Sequence, residues 1–100
     1  MTWALSAEFT AIRGAEQRVA ELVRELTARV RAEPGNVAFN PHTLRDEPRR
    51  WFVYEVYRDE AAFREHLAAE YGATFNAALA PLVEGGGSRL TFLADPTSEA

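Results

Sequence analysis

The sequence contains no cysteine and only two histidines. The absence of cysteine excludes disulfide bonds, thiolate nucleophiles and zinc–thiolate sites, and it is compatible with a reducing compartment. The two histidines, His42 and His66, lack the H-x-x-x-H or H-x-H spacing that is typical of metal sites. We therefore expect no metal site.

Long apolar runs and an excess of positive charge are also missing. No stretch approaches the roughly 18 consecutive apolar residues of a transmembrane helix, and the first residues lack the basic segment of a signal peptide. The net charge of -4 argues against nucleic acid as a partner, because phosphate binding needs a basic surface. We expect a cytoplasmic protein with no membrane partner, with one domain over residues 1–94 and a disordered tail over residues 95–100.

The strongest structural signal is the segment 51–57, with the sequence WFVYEVY. Its apolar side chains alternate over both faces of a predicted strand, and one carboxylate, Glu55, lies in the middle. A strand that is apolar on both faces must be covered on both faces. Helices of the same chain can cover one face, and in a chain of 100 residues a second copy of the protein is the simplest cover for the other.

Hydrophobic periodicity and the positions of glycine and proline predict the remaining elements. Strands are predicted over 3–12, 36–44 and 89–94, helical segments over 15–32, 60–69 and 74–83, a polar loop over 45–50 and a helix break at Gly72. The order β-α-β-β-α-β is that of a ferredoxin-like α+β fold, with a four-stranded antiparallel sheet and its helices on one face. Right-handed crossovers place the first and third strands at the centre. Pro41 agrees, because a proline in the second strand suits a sheet edge.

The face of the sheet that carries no helix would be bare in a monomer. The central strand would then expose tryptophan, phenylalanine, tyrosine or valine side chains on it, and large apolar patches of this kind usually mark an interface. We therefore predict a homodimer that forms through the open sheet face, with the two sheets approaching a closed barrel.

Several short segments resemble the antibiotic biosynthesis monooxygenase (ABM) family. They are AEF at 7–9, EPGN at 33–36, VYEVY at 53–57, FREHL at 63–67 and the segment 75–82. The resemblance extends over residues 2–93. It implies a dimeric α/β barrel with a pocket between each sheet and its helices. Because several members of that family oxidise electron-rich aromatic substrates such as quinols and anthrones with O₂, it also implies a monooxygenase that works without a cofactor.

The chain departs from this family pattern after the matched helix. Family members often carry a second histidine a few residues beyond the position of His66, and here Tyr71 is the nearest counterpart. The resemblance therefore does not carry over a mechanism that needs two histidines. The haem-degrading branch of the family would require an asparagine on the first strand, which this sequence lacks.

His66 is the first candidate for a catalytic residue. It shares one helical stripe with Phe63 and Leu67, so its ring is expected to face the sheet. An imidazole exchanges protons near neutral pH, and in a cofactor-free oxygenase it would deprotonate a phenol or an anthrone so that the anion can reduce O₂. The alternative is a structural histidine that bonds a backbone carbonyl or a carboxylate. His42 is expected to be solvated at the end of its strand.

Glu55 is the second catalytic candidate. If it lies beneath the helices, burial would raise the pKa of its carboxyl, while a neighbouring His66 would lower it. The pair would form an acid–base unit. The alternative is that Glu55 bonds an arginine such as Arg58 or Arg89, or reaches across the dimer.

Five further residues are candidates for substrate binding, because they supply aromatic surface or a polar contact. They are Tyr71, Phe63, Trp51, Phe75 and Ser6. Tyr71 is expected at the pocket mouth, and most of the aromatic surface is equally consistent with core and interface packing. Two other functions stay open at this point: a non-catalytic dimeric protein that binds an aromatic ligand or has an accessory role, and an isomerase that uses Glu55 and His66 as acid and base.

Overall fold

A computed structural model describes residues 1–97 of the chain. In these residues the structure has four strands and three α-helices, joined near the end by two short 3-10 turns. The elements are β1 (Trp3–Thr10), α1 (Glu16–Arg31), β2 (Asn36–Leu44), β3 (Glu47–Tyr57), α2 (Glu60–Ala68), α3 (Glu70–Leu79), the turns Ala80–Leu82 and Glu84–Gly86, and β4 (Arg89–Leu93).

The four strands form one antiparallel sheet in the order β2-β3-β1-β4. The first and third strands are central, which confirms the predicted ferredoxin-like α+β arrangement. Pro41 lies on β2 at the sheet edge, where its missing N–H is tolerated.

The hairpin between β2 and β3 is longer than predicted. β3 begins at Glu47, so the loop predicted over 45–50 is reduced to a turn at Arg45 and Asp46. The pairing shifts between Thr43 and Leu44, which marks an irregularity in the ladder. Pro48 lies beside that irregularity, where a missing donor interrupts no regular ladder, and the strand therefore continues past it.

The second helical region breaks at Ala69, and the prediction of a break at Gly72 is wrong. Ala69 has extended backbone angles (φ -68°, ψ 132°), and α3 starts immediately after it and runs through Gly72. Alanine carries no local signal for a helix break, so the sequence does not reveal the break at Ala69. A glycine in a helix lowers helix stability by only about 1 kcal/mol relative to alanine, so α3 tolerates Gly72. The helical segment predicted to reach residue 83 ends at Leu79, where α3 passes into a 3-10 turn that contains Pro81.

The core lies between the helices and one face of the sheet. One apolar stripe of α1 faces this core, with Leu26 partly buried and four residues buried, namely Val19, Leu22, Val23 and Val30. The opposite sheet face carries no helix of this chain within residues 1–97. On that face Phe52, Tyr54 and Leu93 are 36–43% exposed. The fold thus has a closed side that contains the core and an open side on which large apolar side chains are partly exposed.

The end of the described chain forms a turn. The Thr97 amide and hydroxyl both donate to Oδ1 of Asp95, at 2.8 and 2.5 Å. Residues 98–100 of the predicted disordered tail lie outside the described residues. Within residues 1–97, no helix is long and apolar enough to cross a membrane.

Candidate functional site

A cavity of about 330 Å³ lies between the covered face of the sheet and the helices. Most of its walls are apolar, with side chains from β1, β3, α1, α2 and α3. The side chains that bring polar atoms to it are Glu55, His66, Asn76 and Ser88. A mostly apolar enclosure with a few convergent polar groups is the usual form of a small-molecule site.

His66 reaches the cavity from α2. The helix is fixed at its start by Asp59, whose side chain accepts a hydrogen bond from the Ala62 amide at 2.8 Å. Helical spacing then directs Phe63 and His66 towards the sheet. The His66 ring packs against that of Tyr57, with 4.9 Å between the ring centroids. The ring is thus largely shielded from solvent and held in place.

Glu55 lies opposite His66 on the central strand β3 and is only 5% exposed. Nε2 of His66 is 3.9 Å from Oε1 of Glu55, so the structure brings these two candidate residues together. Burial raises the pKa of the Glu55 carboxyl, and the hydrogen bond from Tyr57 and the nearby His66 offset part of that rise. The alternative arginine partners lie elsewhere, since Arg58 pairs with Asp59 and Arg89 pairs with Glu8.

Tyr57 is a member of this cluster that the sequence analysis did not assign to the site. It lies two residues after Glu55 on the same face of β3, and its hydroxyl donates to Oε1 of Glu55 at 2.7 Å. Burial and the Glu55 charge both raise the pKa of Tyr57, so its hydroxyl stays protonated at neutral pH. The period of two along a strand was the signal that could have found it.

Glu33 is the second residue that the sequence analysis missed. Its carboxylate approaches Nδ1 of His66 with both oxygens, at 3.0 and 3.2 Å, and accepts a hydrogen bond from the Tyr71 hydroxyl. Tyr71 therefore binds this carboxylate and is not among the residues that line the cavity. Its ring lies 5.6 Å from the guanidinium carbon of Arg29.

A local signal marks Glu33 in the sequence. It follows the end of α1 by two residues, where the helix dipole disfavours negative charge, so a glutamate at this place is a candidate for another role. The turn that carries it packs directly on α2. A Cβ at Gly35 would lie 2.4 Å from Cβ of Ala62, and the Arg58 amide donates to the Gly35 carbonyl at 2.8 Å. This close approach brings Glu33 within reach of His66.

The other predicted binding residues are divided between the cavity and its surroundings. Phe63 and Phe75 line the cavity. Trp51 stacks on Phe9 at 5.8 Å between ring centroids and lies outside the lining. Ser6 alternates with the inward-facing Leu5 on β1, so it lies on the opposite face of the sheet, although it is buried.

His42 lies apart from this site. It is exposed on the edge strand β2, and its Nδ1 is 3.0 Å from the Asn40 carbonyl oxygen. Among residues 1–97, no three histidine or acidic side chains are grouped so that they could hold a metal ion.

The fold and the site together define a small α+β protein with a ligand-sized cavity beneath its helices. The family model for antibiotic biosynthesis monooxygenase matches residues 3–78, which is most of the chain. The protein therefore belongs to the antibiotic biosynthesis monooxygenase family, as the sequence resemblance indicated.

Solved structures show the same fold over nearly the whole chain. Rv0793 from Mycobacterium tuberculosis is 21% identical, with 100% of both chains covered and a TM-score of 0.88. PA3566 from Pseudomonas aeruginosa is 26% identical, with 94% of this chain and 93% of that chain covered and a TM-score of 0.86. SnoaB from Streptomyces nogalater, a cofactor-independent oxygenase, is 21% identical, with 98% and 96% covered and a TM-score of 0.84.

Proposed function

We propose that the protein is a cofactor-independent monooxygenase that oxidises a small aromatic, quinol- or anthrone-like molecule with O₂. The observation that supports this most is the pairing of one imidazole with one buried carboxyl on the wall of an apolar cavity, with 3.9 Å between His66 Nε2 and Glu55 Oε1. Membership of the family and the likeness to a cofactor-independent oxygenase support the same reaction class.

In this reaction His66 is the general base. Its Nε2 takes the acidic proton of the bound phenol or anthrone, and the anion that forms is electron-rich enough to transfer an electron to O₂. Recombination gives a peroxide anion on the substrate carbon, and the protonated His66 returns its proton to the outer oxygen to form the hydroperoxide. His66 then removes the remaining proton of that carbon, the O–O bond breaks and the outer oxygen leaves as hydroxide. One oxygen atom stays in the product, and the substrate supplies all four electrons that reduce O₂.

Glu55 supplies the proton for the second half of the reaction. Because burial raises the pKa of its carboxyl, it is suited to hold a proton and to donate it to the hydroxide that leaves the peroxide. Tyr57 keeps this carboxyl oriented through its hydrogen bond. The second proton that His66 takes from the substrate then passes to Glu55 and restores the pair at the end of the cycle.

The lining favours a flat, uncharged substrate. Phe63 and Phe75 offer aromatic surface, and no arginine or lysine of residues 1–97 lines the cavity to pair with an anionic group. A carboxylate or phosphate ligand would therefore lose its hydration without compensation.

The proposed enzyme acts as a homodimer that forms through the open sheet face, in a cytoplasmic setting. The exposed apolar side chains of that face, among them Phe52 and Tyr54 on the central strand β3, support this assembly. The lack of cysteine is compatible with the compartment.

An isomerase would need its acid and base on opposite sides of the ligand, whereas Glu55 and His66 are neighbours 3.9 Å apart. This observation disfavours that alternative. A protein that only binds an aromatic ligand would need the cavity and no titratable pair.

Oxygen uptake tests the proposal. Metal-stripped protein is assayed against a panel of quinols, dihydroxynaphthalenes and anthrones, beside His66→Ala and the matched control His42→Ala. We expect uptake in the parent and in the control, and its loss in His66→Ala, because only His66 lies in the cavity. If no substrate supports uptake but the same panel raises the thermal stability, the protein is a binding protein. If His66→Ala consumes oxygen as fast as the parent, His66 is not the catalytic base.

A further inference from the structure

One carboxylate in the cluster has no part in the reaction proposed above. Glu33 does not line the cavity, yet it lies 3.0 Å from Nδ1 of His66 and also accepts the Tyr71 hydroxyl. It is thus partly buried behind the imidazole, on the side away from Glu55. A carboxylate in this position acts on the ring and not on the ligand.

We propose that Glu33 is a positioning residue that fixes His66 in the tautomer with its proton on Nδ1, so that the unprotonated Nε2 faces Glu55 and the cavity. An ionised carboxylate can only accept hydrogen bonds, so the nitrogen 3.0 Å from it must be the donor. In a neutral imidazole the other nitrogen then carries the lone pair. Nε2 is the nitrogen that the proposed function requires as base, and the catalytic part of this inference rests on that function.

Neighbouring residues fix the position of the Glu33 carboxylate. The Tyr71 hydroxyl donates a hydrogen bond to Oε2 of Glu33, and the ring of Tyr71 lies against the Arg29 guanidinium. Gly35 allows the turn after α1 to pack on α2 without a side chain between them. Two contacts, one from Tyr71 on α3 and one between the turn at Gly35 and α2, therefore position the carboxylate without any contribution from a ligand. When Nε2 takes a proton, the imidazolium has an ionised partner already in contact with it, and no group has to move.

The tautomer can be measured without any substrate. The NMR shifts of the two ring nitrogens of a neutral histidine report which of them carries the proton, and this chain has only two histidines to assign. We expect His66 of the parent to show protonated Nδ1 and bare Nε2. Glu33→Gln should keep this tautomer, because its amide oxygen still accepts, and Glu33→Ala should lose it.

Two internal references make the measurement specific. His42 is exposed and remote, so its shifts should be the same in every variant. Glu65→Gln removes a negative charge from an exposed position next to His66 in sequence, and it should leave the His66 tautomer unchanged. A parent protein with the His66 proton on Nε2 would overturn the inference, and this outcome does not require any variant to fold.

Turnover gives the second readout. Because Glu33 lies outside the cavity lining, Glu33→Ala should lower kcat about 10- to 100-fold, as loss of an outer partner typically does, and leave KM unchanged. Glu33→Gln keeps the tautomer and should therefore restore most of kcat. Equal kcat in parent and Glu33→Ala, with His66→Ala inactive, would overturn the inference while the proposed function stands. If the NMR shifts show the expected tautomers but the protein consumes no oxygen with any substrate, the inference stands and the proposed function is contradicted.

Discussion

Glu55 is the residue whose chemistry depends most on where the fold places it. The structure places this carboxylate on the face of the sheet that the helices cover, and burial raises its pKa above the value that it has in the unfolded chain. Between these two pKa values the folded state binds more protons than the unfolded state. The contribution of Glu55 to stability is therefore full below the unfolded pKa and is lost as pH rises through the folded pKa.

Glu55→Gln removes this titration. Relative to the parent, the free energy of unfolding of the variant should increase as pH rises from acidic values through the raised pKa, by about 1.4 kcal/mol for each unit by which the two pKa values differ. Urea unfolding over a series of pH values measures the difference. Glu65→Gln, at an exposed position, is the control, and its free energy of unfolding should change with pH in the same way as that of the parent. Parallel curves for Glu55→Gln as well would show that the carboxyl is not perturbed by burial.

At the scale of elements, the contact between the turn after α1 and the first part of α2 builds the site. Gly35 and Ala62 approach so closely that a Cβ on the glycine would lie 2.4 Å from the Cβ of the alanine. That approach places Glu33 beside His66, although the two residues are 33 positions apart in sequence.

Gly35→Ala should destabilise the protein by about 1–3 kcal/mol, as overpacking does, because helix and turn must separate to admit the new methyl group. Gly72→Ala is the matched control. It lies in α3 with nothing within 4 Å of a Cβ, so it should stabilise the protein by up to about 1 kcal/mol. Chemical denaturation measures both. Gly35→Ala with the stability of the parent would mean that the turn and α2 are not in firm contact.

The same contact shows how far the sequence alone could predict this structure. The sheet order followed from the element order and from Pro41. Strand and helix periodicity made Glu55 and His66 candidates, but they left open whether Glu55 meets His66, an arginine or the second subunit. Glu33 depends on a turn that meets a distant helix, and no periodicity reports such a meeting. The break at Ala69 is likewise invisible, because tertiary packing imposes it on a residue that favours helix.

At the scale of the whole molecule, the open face of the sheet is the surface through which we propose that the homodimer forms. Phe52→Glu places a charge at the centre of that face and should convert the proposed dimer to monomers, because a carboxylate buried between two sheets lacks a partner. Sedimentation at micromolar concentration measures the change, with far-UV circular dichroism to confirm folding. Ala61→Glu, on the exposed side of α2, should stay dimeric. A parent protein that sediments as a monomer would contradict the assembly.

The central claim is that the cavity with His66 and Glu55 performs a monooxygenation in which the substrate alone reduces O₂. The most direct test is turnover of a quinol or anthrone under 18O-labelled dioxygen by metal-free protein, with product and water analysed by mass spectrometry. We predict one labelled atom in each product molecule and one in water, and no labelled product with His66→Ala. Product that carries no label, or label that appears equally with His66→Ala, would contradict the account.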